Sequence, residues 1–162
     1  MLKAQKLLAL LAGLLLSMQV LAGMGVMIDG PWIREAPPGA DALAGYMTLN
    51  NHTDTEQVLV SAESAAFGMV MLHRTVMQDG VAKMVHQDKI AIPAGGSLSF
   101  SPNGYHLMLM KPKQALKAGD KVGMTLHFAD GSSQSVEFVV RAGGAMQDHG
   151  GMGGMDMGNM HE

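Results

Sequence analysis

Hydrophobic and polar residues alternate in short stretches from Val26 onward, and glycine, proline, asparagine or aspartate separates the stretches. Alternation with a period of two is typical of β-strands that bury one face, and no convincing helical period interrupts it. Strands are predicted at residues 26–33, 44–50, 57–61, 90–92, 97–100, 106–110, 121–128 and 133–140, with a hairpin at 69–87. Many short strands joined by turn residues favour an all-β fold, an antiparallel sandwich.

The first predicted strand contains the dipeptide Gly30-Pro31. Proline has no backbone N–H to donate to a neighbouring strand, so it is found mainly in edge strands, at strand starts or at bulges. We therefore expect this strand to lie at the edge of a sheet.

The hairpin at residues 69–87 is predicted to turn at Gln78-Asp79-Gly80, because Asp-Gly is a frequent hairpin-turn sequence. With a two-residue or four-residue loop, His73 lies opposite Met84 or opposite His86, the next residue on the same face of that strand. A bulge would change this register.

The first 22 residues have the features of a cleavable export signal. A short basic start precedes an apolar run at residues 7–16, and Val20 and Ala22 occupy the positions that a signal peptidase reads. The apolar run is too short for a membrane anchor. We expect cleavage before Gly23, export to the periplasm, no stable membrane insertion afterwards and a folded domain at residues 23–141.

The composition excludes several classes of function. The chain of 162 residues suits one domain with appendages, and its lack of cysteine excludes disulfides, thiol exchange and blue-copper electron transfer. Without Lys3 and Lys6, nine basic and 14 acidic residues remain, a formal charge of −5. No basic cluster is present, so nucleic acid is not an expected partner.

Four histidine and methionine residues between positions 73 and 108 are the candidate metal ligands: His73, Met84, His106 and Met108. Each residue alone is more often a packing or surface residue than a ligand. Residues two apart in a strand share a face, however, so each of two strand segments offers one imidazole and one thioether on the same side. Uncharged nitrogen and thioether sulfur suit Cu(I) better than a hard cation, so the sequence predicts a Cu(I) site.

The spacing His-x₁₀-Met-x₂₁-His-x-Met resembles the signature of the PCuAC family of periplasmic copper chaperones. The flanking segments GPWIREAPPGADALAGYMTLNN and IPAGGSLSFSPNGYHLMLM are similar too, and the resemblance covers residues 26–140. It implies a cupredoxin-like Greek-key β-sandwich in which His73, Met84, His106 and Met108 bind Cu(I). It also implies delivery of copper to the CuA centre of cytochrome c oxidase, often alongside a Sco-type thiol protein. We expect a monomer without catalytic activity.

Three other hypotheses remain open from the sequence. One is a copper enzyme, which the absence of a histidine at the predicted mature N-terminus Gly23 argues against. Another is an adhesion module of the cell envelope in which the methionines are core residues. The third is a periplasmic copper storage or detoxification protein to which the C-terminal tail contributes.

The tail at residues 142–162 contains seven glycines, five methionines and two histidines. It lacks an aliphatic pattern that could offset the entropy of ordering so much glycine, so we expect flexibility in the absence of metal. Imidazole nitrogen suits Cu(II) and thioether sulfur suits Cu(I), so the tail is a candidate second copper site. Its candidate ligands are His149, Met152, Met155, Met157, Met160 and His161.

Overall fold

The structure, a computed structural model, describes residues 25–143 and consists of ten β-strands. The strands are β1 Val26–Arg34, β2 Ala42–Asn51, β3 Gln57–Glu63, β4 Phe67–Gln78, β5 Val81–His86, β6 Ile90–Ile92, β7 Ser97–Phe100, β8 Tyr105–Pro112, β9 Lys121–Phe128 and β10 Ser133–Arg141. The all-β prediction is therefore confirmed. Within the described range no helix is long and apolar enough to cross a membrane.

The strands are hydrogen-bonded in the order β5-β4-β8-β7-β2-β1-β10-β9-β3-β6, and β8 also pairs with β2. Most neighbours are antiparallel, as predicted, but β1 and β10 run parallel, and so do β7 and β8 at a single pair of residues. β4 lies between β5 and β8, so side chains of these three strands can lie next to one another on one face of the sheet.

A single buried cluster holds the fold together. Nine of the ten strands contribute side chains to it, and β5 contributes none. Leu107 and Leu109 of β8 and Leu72 of β4 are among its members. Burial of each such leucine contributes about 1.5–3 kcal/mol relative to exposure, so β4 and β8 are fixed by the core.

The expectation that the first strand lies at an edge is wrong. β1 lies between β2 and β10, and the pairing register with β2 shifts between Asp29 and Trp32. Gly30 adopts a positive φ of 54° at this irregularity. The bulge accommodates Pro31, whose missing N–H would otherwise interrupt the ladder.

The hairpin of β4 and β5 turns where the sequence predicted. Asp79 and Gly80 have φ values of 52° and 77°, and Gln78 pairs with Val81, so the loop has two residues. Positive φ at both central positions defines a type I′ turn, whose twist matches that of the strands. This loop length places His73 opposite His86 and Thr75 opposite Met84.

Candidate metal centre

Three histidines form a row across the neighbouring strands β5, β4 and β8. His73 of β4 is the register partner of His86 on one side and of His106 on the other. The ring centroid of His73 lies 5.6 Å from that of His86 and 5.8 Å from that of His106, and both ring pairs are nearly perpendicular. Since directly paired residues project on the same side of a sheet, all three imidazoles share one face.

The two predicted methionine ligands lie on the same face as these histidines. Met84 pairs with Thr75, and Met108 pairs with Met71. Thr75 and Met71 lie two residues after and two residues before His73 in β4. Because side chains alternate along a strand, positions 71, 73 and 75 of β4 point the same way. The structure thus places His73, Met84, His106 and Met108 on one side of three adjacent strands.

His106 is positioned by the core and by one backbone hydrogen bond. Its neighbour Leu107 is fully buried on the opposite face, and His106 itself is only 2% exposed. Its Nδ1 lies 3.2 Å from the carbonyl oxygen of Gly104, which can only accept, so Nδ1 carries the proton. The buried Nε2 has no hydrogen-bond partner among the described residues, which leaves its lone pair free for a metal.

His73 is also prepared to bind as a neutral imidazole. Its buried Nδ1 has no hydrogen-bond partner within residues 25–143. Burial, followed by the charges that His106 and His86 would carry if protonated, lowers the pKa of His73. A neutral ring keeps a lone pair available, and an unpaired buried nitrogen carries an energetic cost that a metal ion would remove.

Met84 differs from the other three candidates in its surroundings. Its side chain is 61% exposed, and every residue of β5 is exposed. Among the described strands, β5 lies at the end of the sheet and pairs only with β4. The thioether of Met84 therefore belongs to a strand that tertiary packing does not hold in place.

The remaining histidines of the domain have different surroundings. Nε2 of His127 lies 3.2 Å from a carboxylate oxygen of Glu63. His86 is half exposed, with Nε2 3.5 Å from a carboxylate oxygen of Asp88. In the sequence, the indication that His86 lies on the same face as Met84 was its position two residues after Met84. Its pairing with His73 depends on the length of the hairpin loop, which the sequence left open.

No three His, Asp or Glu side chains within the described part of the chain are arranged to hold a metal ion. The side-chain donors that this face does offer beside the imidazoles are the thioethers of Met84 and Met108. Thioether donors favour a soft monovalent ion, since carboxylate and carbonyl oxygen suit the hard cations. The candidate tail ligands at 149–161 lie outside the described residues.

Residues 26–140 match the family described as "Putative lipoprotein LpqE-like". The chain is 35% identical over 118 residues to the lipoprotein Lxx21020 of Leifsonia xyli subsp. xyli, an alignment that covers 72% of this chain and 70% of that protein. It is also 35% identical over 98 residues to the uncharacterized protein RP573 of Rickettsia prowazekii, covering 60% of this chain and 54% of that protein. The chain belongs to the LpqE-like, PCuAC-related family.

Solved PCuAC structures are similar to this LpqE-like chain over most of its described residues. The Cu(I) form of DR1885 from Deinococcus radiodurans is 33% identical, with a TM-score of 0.57, and the match covers 80% of this chain and 85% of that one. The apo form is 34% identical, with a TM-score of 0.59, and the match covers 75% and 81%. The copper-bound PCuAC domain from PmoF2 is 25% identical, with a TM-score of 0.63, covering 74% and 94%. The predicted PCuAC resemblance and its cupredoxin-like fold are confirmed.

Proposed function

We propose that this protein is a periplasmic copper chaperone that binds one Cu(I) through His73, Met84, His106 and Met108. The observation that carries the proposal is that these four side chains lie on one face, with two buried imidazole nitrogens that have no hydrogen-bond partner among residues 25–143. Two neutral nitrogens and two thioethers match the preference of Cu(I) for soft, uncharged donors.

The similarity to copper-bound structures supports this proposal. DR1885 has been solved with Cu(I), and the PCuAC domain of PmoF2 has been solved with copper. We extend copper binding from those proteins to this chain because the region that matches the family model, residues 26–140, contains all four candidate ligands.

Release by ligand exchange follows from the nature of the donors. Thioethers are neutral and weaker donors to Cu(I) than thiolates, so the thiolates of an acceptor can replace them one at a time. Copper is the cargo in this scheme, its oxidation state does not change, and no catalytic turnover is required. The exposed thioether of Met84 is the donor that an acceptor reaches first.

The acceptor and the compartment are the second part of the proposal, and the family resemblance and the N-terminal sequence support them. We propose delivery to the CuA centre of cytochrome c oxidase or to a Sco-type protein, in the periplasm, after export directed by residues 1–22. The lipoprotein description of the family supports export.

Substitution of the thioethers tests the site directly. Met84→Leu and Met108→Leu remove sulfur while nearly preserving volume, so folding should survive. Each variant should bind Cu(I) more weakly than the wild type in competition with a chromophoric chelator. Met27→Leu is the matched control, because Met27 is 53% exposed on β1. Wild-type affinity in both site variants would show that the site has been assigned to the wrong residues.

Copper storage or detoxification is a second candidate function. It is favoured by the number of methionines near the site, since six of the nine within residues 25–143 lie on β4, β5 and β8. Deletion of a store should impair growth in excess copper, whereas deletion of a chaperone should impair oxidase assembly when copper is scarce. An assembly defect with normal copper tolerance would support delivery.

A further inference from the structure

Over residues 69–77 of β4, 82–86 of β5 and 106–110 of β8, one face of the sheet is composed almost entirely of histidine and methionine. We call it the His/Met face, and it consists of Met69, Met71, His73, Thr75 and Met77 of β4, Ala82, Met84 and His86 of β5, and His106, Met108 and Met110 of β8. Only Thr75 and Ala82 among these eleven positions carry neither imidazole nor thioether. The four proposed Cu(I) ligands account for fewer than half of the donors on this face.

Three of the unused thioethers adjoin one another at the end of the face away from the β4–β5 turn. Met69 is the register partner of Met110, and Met71, two residues from Met69, lies diagonal to Met110. Direct cross-strand partners have Cβ atoms about 4.5–5.5 Å apart and diagonal neighbours about 7–8 Å apart. Methionine side chains have three rotatable bonds, so these sulfurs can reach a common point between the strands. We call Met69, Met71 and Met110 the thioether cluster.

Core packing does not explain these methionines. Met69 is 54% exposed, and Met71 and Met110 are partly exposed on the face opposite the buried Leu72 and Leu109. β5 ends at His86, the partner of His73, so Met69 and Met71 have no neighbour in that strand. Exposed strand positions more commonly carry threonine, charged or other polar residues.

The thioether cluster has a small neighbour on one side, and the side chain of Lys111 lies on the other side of β4. Met110 pairs on its other side with Ala42, whose small side chain does not fill the face. The side chain of Lys111 packs against Gly68, which projects to the opposite side of β4 from Met69. The cluster thus consists of three uncharged thioethers, and the side chain of Met69 is the most exposed of them.

We propose that Met69, Met71 and Met110 form a second metal site, selective for soft monovalent ions such as Cu(I) and Ag(I). The site stands beside the proposed chaperone site, because Met71 is the register partner of Met108. An ion in the cluster can move inward by exchange of thioethers, in which a bond to Met108 sulfur forms as a bond to cluster sulfur breaks. Neither the charge of the ion nor the protonation of the ligands changes in this step.

The test is a titration of the full chain with Ag(I), a soft ion that is not oxidised by air, monitored through ¹³C-labelled methionine methyl groups. The methyl signals are assigned from single Met→Leu variants, so signals of the C-terminal methionines are separated from those of the domain. We expect the Met69, Met71 and Met110 signals to shift together. Zn²⁺ at the same concentration should leave them unchanged, since it prefers nitrogen and thiolate ligands.

Two variants complete the test. In the double variant Met69→Leu/Met110→Leu, the Ag(I)-dependent shift of Met71 should be lost, while those of Met84 and Met108 persist. The control Met27→Leu, which removes an equally exposed thioether outside the face, should change neither group of signals. Unmoved cluster signals, or a Met71 shift that survives the double variant, would overturn the second site. Unmoved Met84 and Met108 signals alongside a shifting cluster would instead contradict the proposed chaperone site.

Discussion

The strands β8 and β5 both carry candidate ligands, but they differ in how the fold supports them. β8 pairs with β4 and β2, and its residues Leu107 and Leu109 are fully buried. In the described part of the chain, β5 pairs only with β4 and contributes no residue to the core. His106 is therefore held in place before any metal binds, whereas Met84 and His86 occupy a strand whose position depends on one ladder of hydrogen bonds.

This difference suggests how one site can both bind and release its cargo. Ligands fixed by packing require little ordering when they bind, which favours affinity. A ligand on a weakly held strand must be ordered by the metal, which lowers affinity but permits local opening. In the proposed site, β8 supplies the fixed ligands His106 and Met108, and β5 supplies the ligand that opens.

The largest expected effect is a difference between β8 and β5 in how much a substitution lowers the free energy of unfolding. Leu107→Ala should lower the free energy of unfolding by about 2–5 kcal/mol, because it removes a fully buried side chain. Val85→Ala on β5 should change it by about 0.5 kcal/mol or less, since Val85 is exposed. Denaturant unfolding of the metal-free protein measures both values. Equal losses would remove the distinction between a core strand and a peripheral one.

The second prediction compares the effects of His106 and His86, the two neighbours of His73, on copper affinity. His106→Ala should weaken Cu(I) binding by more than about 100-fold, because even the loss of an outer hydrogen-bond partner of a metal ligand typically costs about 10–100-fold. His86→Ala should have a much smaller effect, since His86 is not among the four proposed ligands. Chelator competition measures both variants. A larger loss of Cu(I) affinity in His86→Ala would show that His86 of β5, and not His106 of β8, is the ligand.

The sequence predicted features that depend on neighbouring residues better than features that depend on contacts between distant parts of the chain. Ser97–Phe100 and Lys121–Phe128 have the predicted bounds, because local alternation and flanking turn residues determine them. The position of β1 was predicted wrongly, because Pro31 lies at a bulge and a local pattern cannot distinguish a bulge from an edge. The spacing of the donors indicated that His73 and His106 bind the same metal. That they are direct neighbours across β4 and β8 depends on a contact between strands far apart in sequence.

A third prediction concerns the order of β5 itself. In the metal-free protein the amide hydrogens of β5 should exchange faster than those of β8, because β5 lacks buried contacts. One equivalent of Cu(I) should slow exchange in β5 and change β8 little. Met84→Leu should abolish the slowing, since it removes the bond between β5 and the metal. Equal protection of β5 in that variant would mean that Met84 does not connect the strand to copper.

A smaller effect is expected at the turn that joins β4 and β5. Gly80→Ala should destabilise the hairpin by about 1 kcal/mol, since Gly80 has a φ of 77° and no neighbouring atom would obstruct the new methyl group. Gly123→Ala is the control, because Gly123 also has open space around it but no positive φ. Hydrogen exchange should accelerate in β5 only in the first variant. Identical exchange in both variants would contradict the turn geometry.

The smallest effect on the folded site should come from the C-terminal tail. We expect deletion of residues 142–162 to remove one equivalent of bound Cu(II), which the nitrogens of His149 and His161 would hold. Cu(I) binding at the proposed folded site should remain nearly unchanged. Equilibrium dialysis with each oxidation state measures the stoichiometry. Full Cu(II) binding by the truncated protein would leave the tail without a metal-binding role.

The proposal of mixed imidazole and thioether coordination is tested most directly by X-ray absorption of the protein loaded with one equivalent of Cu(I). The account predicts both nitrogen and sulfur neighbours around the copper, and a loss of sulfur neighbours in the double variant Met84→Leu/Met108→Leu. A spectrum with nitrogen and oxygen neighbours only would contradict the proposed coordination by His73, Met84, His106 and Met108. Sulfur neighbours that persisted unchanged in the double variant would contradict it equally.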